Sequence, residues 1–140
     1  MKQVAVLLLL TFGINLAHAD SGKASVSNNF SKWKVECGAC HVASPPELLV
    51  GDNWQRLMDN LDKHFGVNAA LDAKDRKAIL GFLKRNAGSG ERYSAATLRI
   101  SDTPWFRREH RNLAAGEWKH AEVGSRSNCS ACHGKTVLGS

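Results

Sequence analysis

Apolar residues recur along this chain at steps of three and four and nowhere in a sustained alternation. The first spacing lines up side chains on one face of a helix, whereas a strand would need the second. Between Asn53 and Phe65 the positions Trp54, Leu57, Met58, Leu61 and Phe65 form one such face, with His64 at its edge. A further helix is predicted from a cap at Asp72 to about Asn86. Its Ile79, Leu80, Phe82 and Leu83 turn inward, and Lys74, Asp75, Arg76, Lys77, Lys84 and Arg85 stay mostly solvated. Phe30, Trp33 and Val35 suggest a short helix upstream. Thr103 and Pro104 suit the cap and first turn of a last helix, with Phe106, His110 and Leu113 on one side and Arg107, Arg108, Glu109 and Arg111 on the other. Two stretches interrupt the pattern. Ser44-Pro45-Pro46 must leave a helix, because proline lacks the backbone donor and restrains its predecessor, and Gly88-Ser89-Gly90 reads as a linker. The expected fold is therefore mostly α, in two small lobes over residues 20–88 and 89–140.

The first residues carry a different pattern. Lys2 precedes an apolar run from Val4 to Leu16 that ends at Ala17-His18-Ala19, a small-x-small cleavage site. Residues 1–19 are expected to be an export signal, leaving a mature chain that starts near Asp20 with a flexible polar leader as far as Asn29. The run is shorter than the ~20 apolar residues a spanning helix needs, and no later segment approaches that length. No membrane span is expected after cleavage, and in a bacterium the destination is the periplasm.

The formal charge of +6 over 140 residues first suggests nucleic acid or an anionic surface as partner. The cysteines change that picture. All four fall in two C-x-x-C-H strings, Cys37-Gly38-Ala39-Cys40-His41 and Cys129-Ser130-Ala131-Cys132-His133. That string attaches c-type haem: two thiols three positions apart each form a thioether to a vinyl group, and the adjacent histidine ligates the iron from below. Two covalently bound haems c are expected, on Cys37 and Cys40 and on Cys129 and Cys132, with His41 and His133 as proximal ligands. The haem carboxylates would offset part of the positive charge, which removes the case for nucleic acid.

Other uses of four cysteines fit less well. Disulfides leave the two histidines unexplained. Zinc knuckles need the pairs about 15 to 20 residues apart, far closer than positions 37 and 129. A thioredoxin-like motif needs a strand-to-helix junction, and no strand pattern precedes either pair.

The remaining candidates for the far side of each iron are His64, His110, His120 and Met58. His64 is preferred to Met58, whose spacing with Trp54 and Leu61 suits a core residue. His110 is preferred to His120, because it shares an apolar stripe with Phe106 and Leu113 while His120 follows Lys119 in a polar stretch. The arginines around His110 read as a solvated face, with haem propionates or an acidic redox partner as competing roles. The second lobe has too few large apolar side chains for a core, so its haem would serve as one.

Several stretches together resemble one family, the small bacterial dihaem cytochromes c that donate electrons to an oxygen-binding monohaem cytochrome c. They are Glu36-Cys37-Gly38-Ala39-Cys40-His41, Asp62-Lys63-His64-Phe65-Gly66, the run from Arg99 to His110, and Val123-Gly124-Ser125 leading into the second string. The resemblance covers nearly the whole mature chain. It implies bis-histidine haems with His64 and His110 distal, a first lobe like a class I cytochrome c, and a carbonyl of Pro45 or Pro46 on the proximal imidazole. It also implies an electron carrier rather than an enzyme, drawing on a membrane b-type cytochrome. The rival readings are a haem enzyme or gas sensor with one open or labile distal site, and the electron-transfer subunit of a larger periplasmic reductase. Sequence does not assign either distal histidine to one haem.

Overall fold

The computed structural model describes residues 21–133; the expected signal at 1–19 lies outside them. Four α-helices, α1 (Ser21–Gly38), α2 (Gly51–Met58), α3 (Ala73–Arg85) and α4 (Pro104–Glu109), are joined by loops and short 3-10 turns. Among the described residues there is no strand; two isolated bridges, Val50 with Gly88 and His64 with Val67, are the only β pairing. No helix among these residues is long and apolar enough to cross a membrane.

The core lies where α3 crosses α1 and α2. Trp33, Leu49, Trp54, Met58, Leu61, Ile79, Phe82 and Leu83 are all buried there. The ring centroids of Trp33 and Phe82 are 5.3 Å apart, and Phe30 stands edge-on to Phe82 at 5.8 Å. Such aromatic pairs add about 0.5–1.5 kcal/mol to their area burial. Cys37 packs against this cluster, so the first haem string is anchored on the core.

Three elements depart from expectation. Residues 21–29 belong to α1 rather than to a flexible leader, since the helix anchored by Phe30 and Trp33 extends upstream to Ser21. Val35 is on its exposed side. The helix predicted to reach Phe65 stops at Met58, because the Asn60 amide donates back to the Arg56 carbonyl and the chain tightens into a 3-10 turn, Leu61–Lys63. His64 therefore sits in a loop rather than on a helix edge. Leu113 lies beyond the end of α4 and is exposed.

Other elements follow their local signals. Asp72 caps α3, accepting from the N–H groups of Lys74 and Asp75 at 2.9 and 3.0 Å. Thr103 caps α4, accepting from Phe106 N–H at 3.1 Å, with Pro104 in the first turn. The Gly88-Ser89-Gly90 segment begins tightly packed: Gly88 donates to the Leu49 carbonyl at 2.9 Å. A Cβ at Gly88 would come within 2.2 Å of the Glu47 carbonyl.

Past α3 the packing thins. Ala95, Thr103 and Phe106 are buried, and from Arg107 to His133 no residue is. This stretch lacks the apolar interior that ordinarily holds such a length of chain.

Candidate functional site

The first string begins near the end of α1, which presents Cys37; the chain then turns through Cys40 to His41. Burial pushes the Cys37 thiol up to about 11, with the Glu36 carboxylate adding to the shift, and burial also raises the Cys129 thiol. A reactive thioredoxin-like cysteine has the opposite character, a depressed pKa. None of the four cysteines is in a disulfide. Among the described residues no three His, Cys, Asp or Glu side chains gather as a metal-ion site.

His64 faces His41 across this lobe, the two rings 6.1 Å apart with planes 21° from parallel. It is carried by a turn closed by Val67 N–H on the His64 carbonyl at 3.0 Å. The two residues inside the turn, Phe65 and Gly66, have φ of 50° and 98°. Glycine adopts that region freely, but phenylalanine is strained there by about 1–3 kcal/mol. Phe65 lies 4.8 Å from the His64 ring and under the Arg99 guanidinium, 4.0 Å away. Partial burial lowers the His64 pKa, with His41 and Arg99 adding to the effect. The neutral imidazole thus favoured is the form that binds metal.

The second pair is built from α4. His110 ends this helix, its ring 4.0 Å from that of Phe106 and 5.7 Å from Trp118. His133 stands 6.0 Å from His110, with ring planes at 84°. Its string is scaffolded by Asn128, whose amide donates to the Val123 carbonyl at 3.0 Å and whose carbonyl oxygen accepts from Ser130 at 2.9 Å. Gly124, with φ of 64°, turns the chain into that scaffold.

Both separations fit an iron held between the rings. A metal–imidazole nitrogen bond of about 2.0–2.1 Å, with each ring centroid ~1.1 Å behind its nitrogen, puts two coaxial rings ~6.3 Å apart. The tautomers fit as well. His41 Nδ1 lies 2.8 Å from the Val42 carbonyl and His110 Nδ1 2.9 Å from that of Phe106. A carbonyl only accepts, so Nδ1 carries the proton in both rings and the Nε2 lone pair is left for iron. The donor to Val42 replaces the expected contact with a proline: the Pro46 carbonyl accepts from the Trp54 indole at 2.6 Å, and that of Pro45 from Leu48 N–H at 3.1 Å.

The structure thus brings His64 to His41 and His110 to His133. His120 is exposed, and its carbonyl accepts from Val123 and Gly124 N–H at 2.9 Å as part of a turn. Met58 is fully buried among core side chains. The two strings also meet, for Cys40, His41 and Val42 line one cleft of about 250 Å³ together with residues Ser127, Asn128, Cys129 and Ser130. Sequence reasoning missed Arg99, which covers Phe65 beside His64, and Trp118 beside His110. The Arg99–Phe65 contact joins residues distant in sequence, and no local pattern encodes it.

Residues 33–140 match the family described as dihaem cytochrome c. Among solved structures, a crystal structure of DHC purified from Rhodobacter sphaeroides is 38% identical, covering 77% of this chain and 95% of its own, with a TM-score of 0.67. A diheme cytochrome c from the same organism is 36% identical over 77% and 94%, TM-score 0.68. A diheme c-type cytochrome from Shewanella baltica is 34% identical over 75% and 80%, TM-score 0.66. No curated protein gives a significant match.

Proposed function

Because the chain belongs to the dihaem cytochrome c family, carries two haems c and transfers electrons, we propose that it is a periplasmic relay passing electrons from a membrane b-type cytochrome to a soluble haem-protein acceptor. The haems supply the one-electron couple; the chain fixes their ligands, limits water and sets their potentials. The observation that supports a relay most is that each proximal histidine already faces a second histidine at about the spacing of two axial ligands, 6.1 Å for His41 and His64 and 6.0 Å for His110 and His133. With both histidines of a pair on its iron, a haem would have no coordination position left for a substrate. Two imidazoles also favour ferric iron more than an imidazole with a thioether, so both potentials are expected to be low.

The cleft shared by the two strings supports exchange between the haems. Each ~59 mV between one-electron couples shifts occupancy tenfold, so small differences in surroundings set direction. Arg107, Arg108 and Arg111 are exposed beside His110, a face suited to an acidic redox partner.

Carbon monoxide tests the reading. The reduced holoprotein at neutral pH is expected to stay six-coordinate at both irons and to bind the gas only slowly. Rapid uptake of one equivalent would replace the relay with an enzyme or gas sensor. Co-purification with a large catalytic subunit in fixed stoichiometry would make it a reductase subunit.

A further inference from the structure

We infer that Arg99 is a positioning residue for the distal ligand of the first haem, holding His64 through the ring of Phe65. This inference rests on the bis-histidine reading of that haem. Two non-glycine residues among those described have left-handed backbones, Phe65 with φ of 50° and Leu98 with φ of 62°. The residue after Leu98 reaches the first of them, for the Arg99 guanidinium lies 4.0 Å from the Phe65 ring centroid. Backbone conformations of this kind persist only where the surroundings hold them, and they gather where a side chain must be aimed. Phe65 in turn lies 4.8 Å from His64 at a tilt of 54°. The three side chains therefore form a continuous series of contacts, from the segment beyond α3 to the ring beside His41.

Both ends of this series are fixed from outside. On the Arg99 side, Leu98 N–H donates to the Ala95 carbonyl at 3.0 Å, and Ala95 is buried with its carbonyl accepting from the Asn53 amide of α2. Thr97 Oγ1 donates to Asp102 at 2.7 Å and accepts from Arg99 N–H at 3.3 Å, which ties the residue's own backbone. On the His64 side, the Leu61 carbonyl accepts from Ala69 N–H at 2.8 Å and closes the loop around the turn. Phe65 remains 43% exposed, so Arg99 covers a ring that the core does not. With His64 on the iron, the nearby Arg99 charge would favour the reduced form of that haem.

The experiment uses the holoprotein and carbon monoxide. In Arg99→Ala the population with His64 off the iron is expected to rise roughly two- to fivefold, the range of an exposed cation–π contact, and the slow binding of gas to accelerate equally. One haem only should respond, with the ferric signal of the other unchanged and the potential of the first lowered. Phe65→Leu should accelerate binding to the same extent. Arg99→Lys should restore the potential and most of the slow binding, which a merely structural defect would not allow. Wild-type rates in Arg99→Ala, or equal acceleration at both haems, would overturn the inference. A wild-type protein that already binds the gas rapidly at the first haem would overturn both this inference and the relay.

Discussion

The rings of His110 and His133 face each other 6.0 Å apart with their planes at 84°. Those of His41 and His64, at almost the same separation, are 21° from parallel. Perpendicular axial imidazoles leave two of the iron d orbitals nearly degenerate, whereas parallel ones split them. Electron paramagnetic resonance of the oxidised holoprotein should therefore resolve two low-spin signals in equal amount, one markedly more anisotropic than the other. Altering His110 should remove the more anisotropic signal and altering His64 the other. Two identical signals would contradict the difference in ring planes.

The two uncommitted histidines of the second lobe separate cleanly by substitution. His110→Ala should convert one haem to the high-spin form and open it to carbon monoxide, because the ring that faces His133 is gone. His120→Ala should leave both haems low-spin, since the turn at 120–124 uses the backbone carbonyl, which alanine keeps. The absorption spectrum of each variant reads the result.

Gly88 is where α3 hands the chain on to the second lobe, and it has no room for a side chain. A methyl group there would meet the Glu47 carbonyl at 2.2 Å and the Tyr93 ring at 2.9 Å. Gly88→Ala should lower unfolding stability by about 1–3 kcal/mol, the ordinary range for overpacking. Chemical denaturation of the holoprotein measures it.

Two carboxylates tie stability to acid. The N–H groups of Asp75 and Lys74 hold the Asp72 carboxyl below its usual range, and hydrogen bonds from Gln55 and Arg76 do the same for Asp59. Folding favours the ionised form of both. Their contribution is in place above the unfolded value of ~3.9 and is lost as pH falls through the lower folded values. Asp72→Asn and Asp59→Asn should each destabilise the protein at neutral pH, and the gap to wild type should narrow as pH falls below ~3.9. A constant gap across that window would show that these groups do not titrate with unfolding.

Much of this was legible in the sequence because the signals are local. Two C-x-x-C-H strings name their cofactor without any tertiary information, and Asp72 and Thr103 each state where a helix begins. The end of α2 was not legible, because Asn60 closes the helix through its side chain while the apolar spacing runs on to Phe65. His64 was thus read as a ligand candidate from its residue type but placed on a helix edge, where the structure has a loop. The approach of His64 to His41 and of His110 to His133 is a relation between separate segments with no trace in spacing. Arg99 escaped for the same reason, since its partner lies 34 positions away by number.

Which side chains bind the two irons decides whether both haems are closed to other ligands. Diffraction from crystals of the holoprotein, with the irons located by their anomalous signal, measures it most directly. The prediction is one iron bonded to Nε2 of His41 and His64 and the other to Nε2 of His110 and His133. Finding His120, Met58 or solvent on either iron would contradict it.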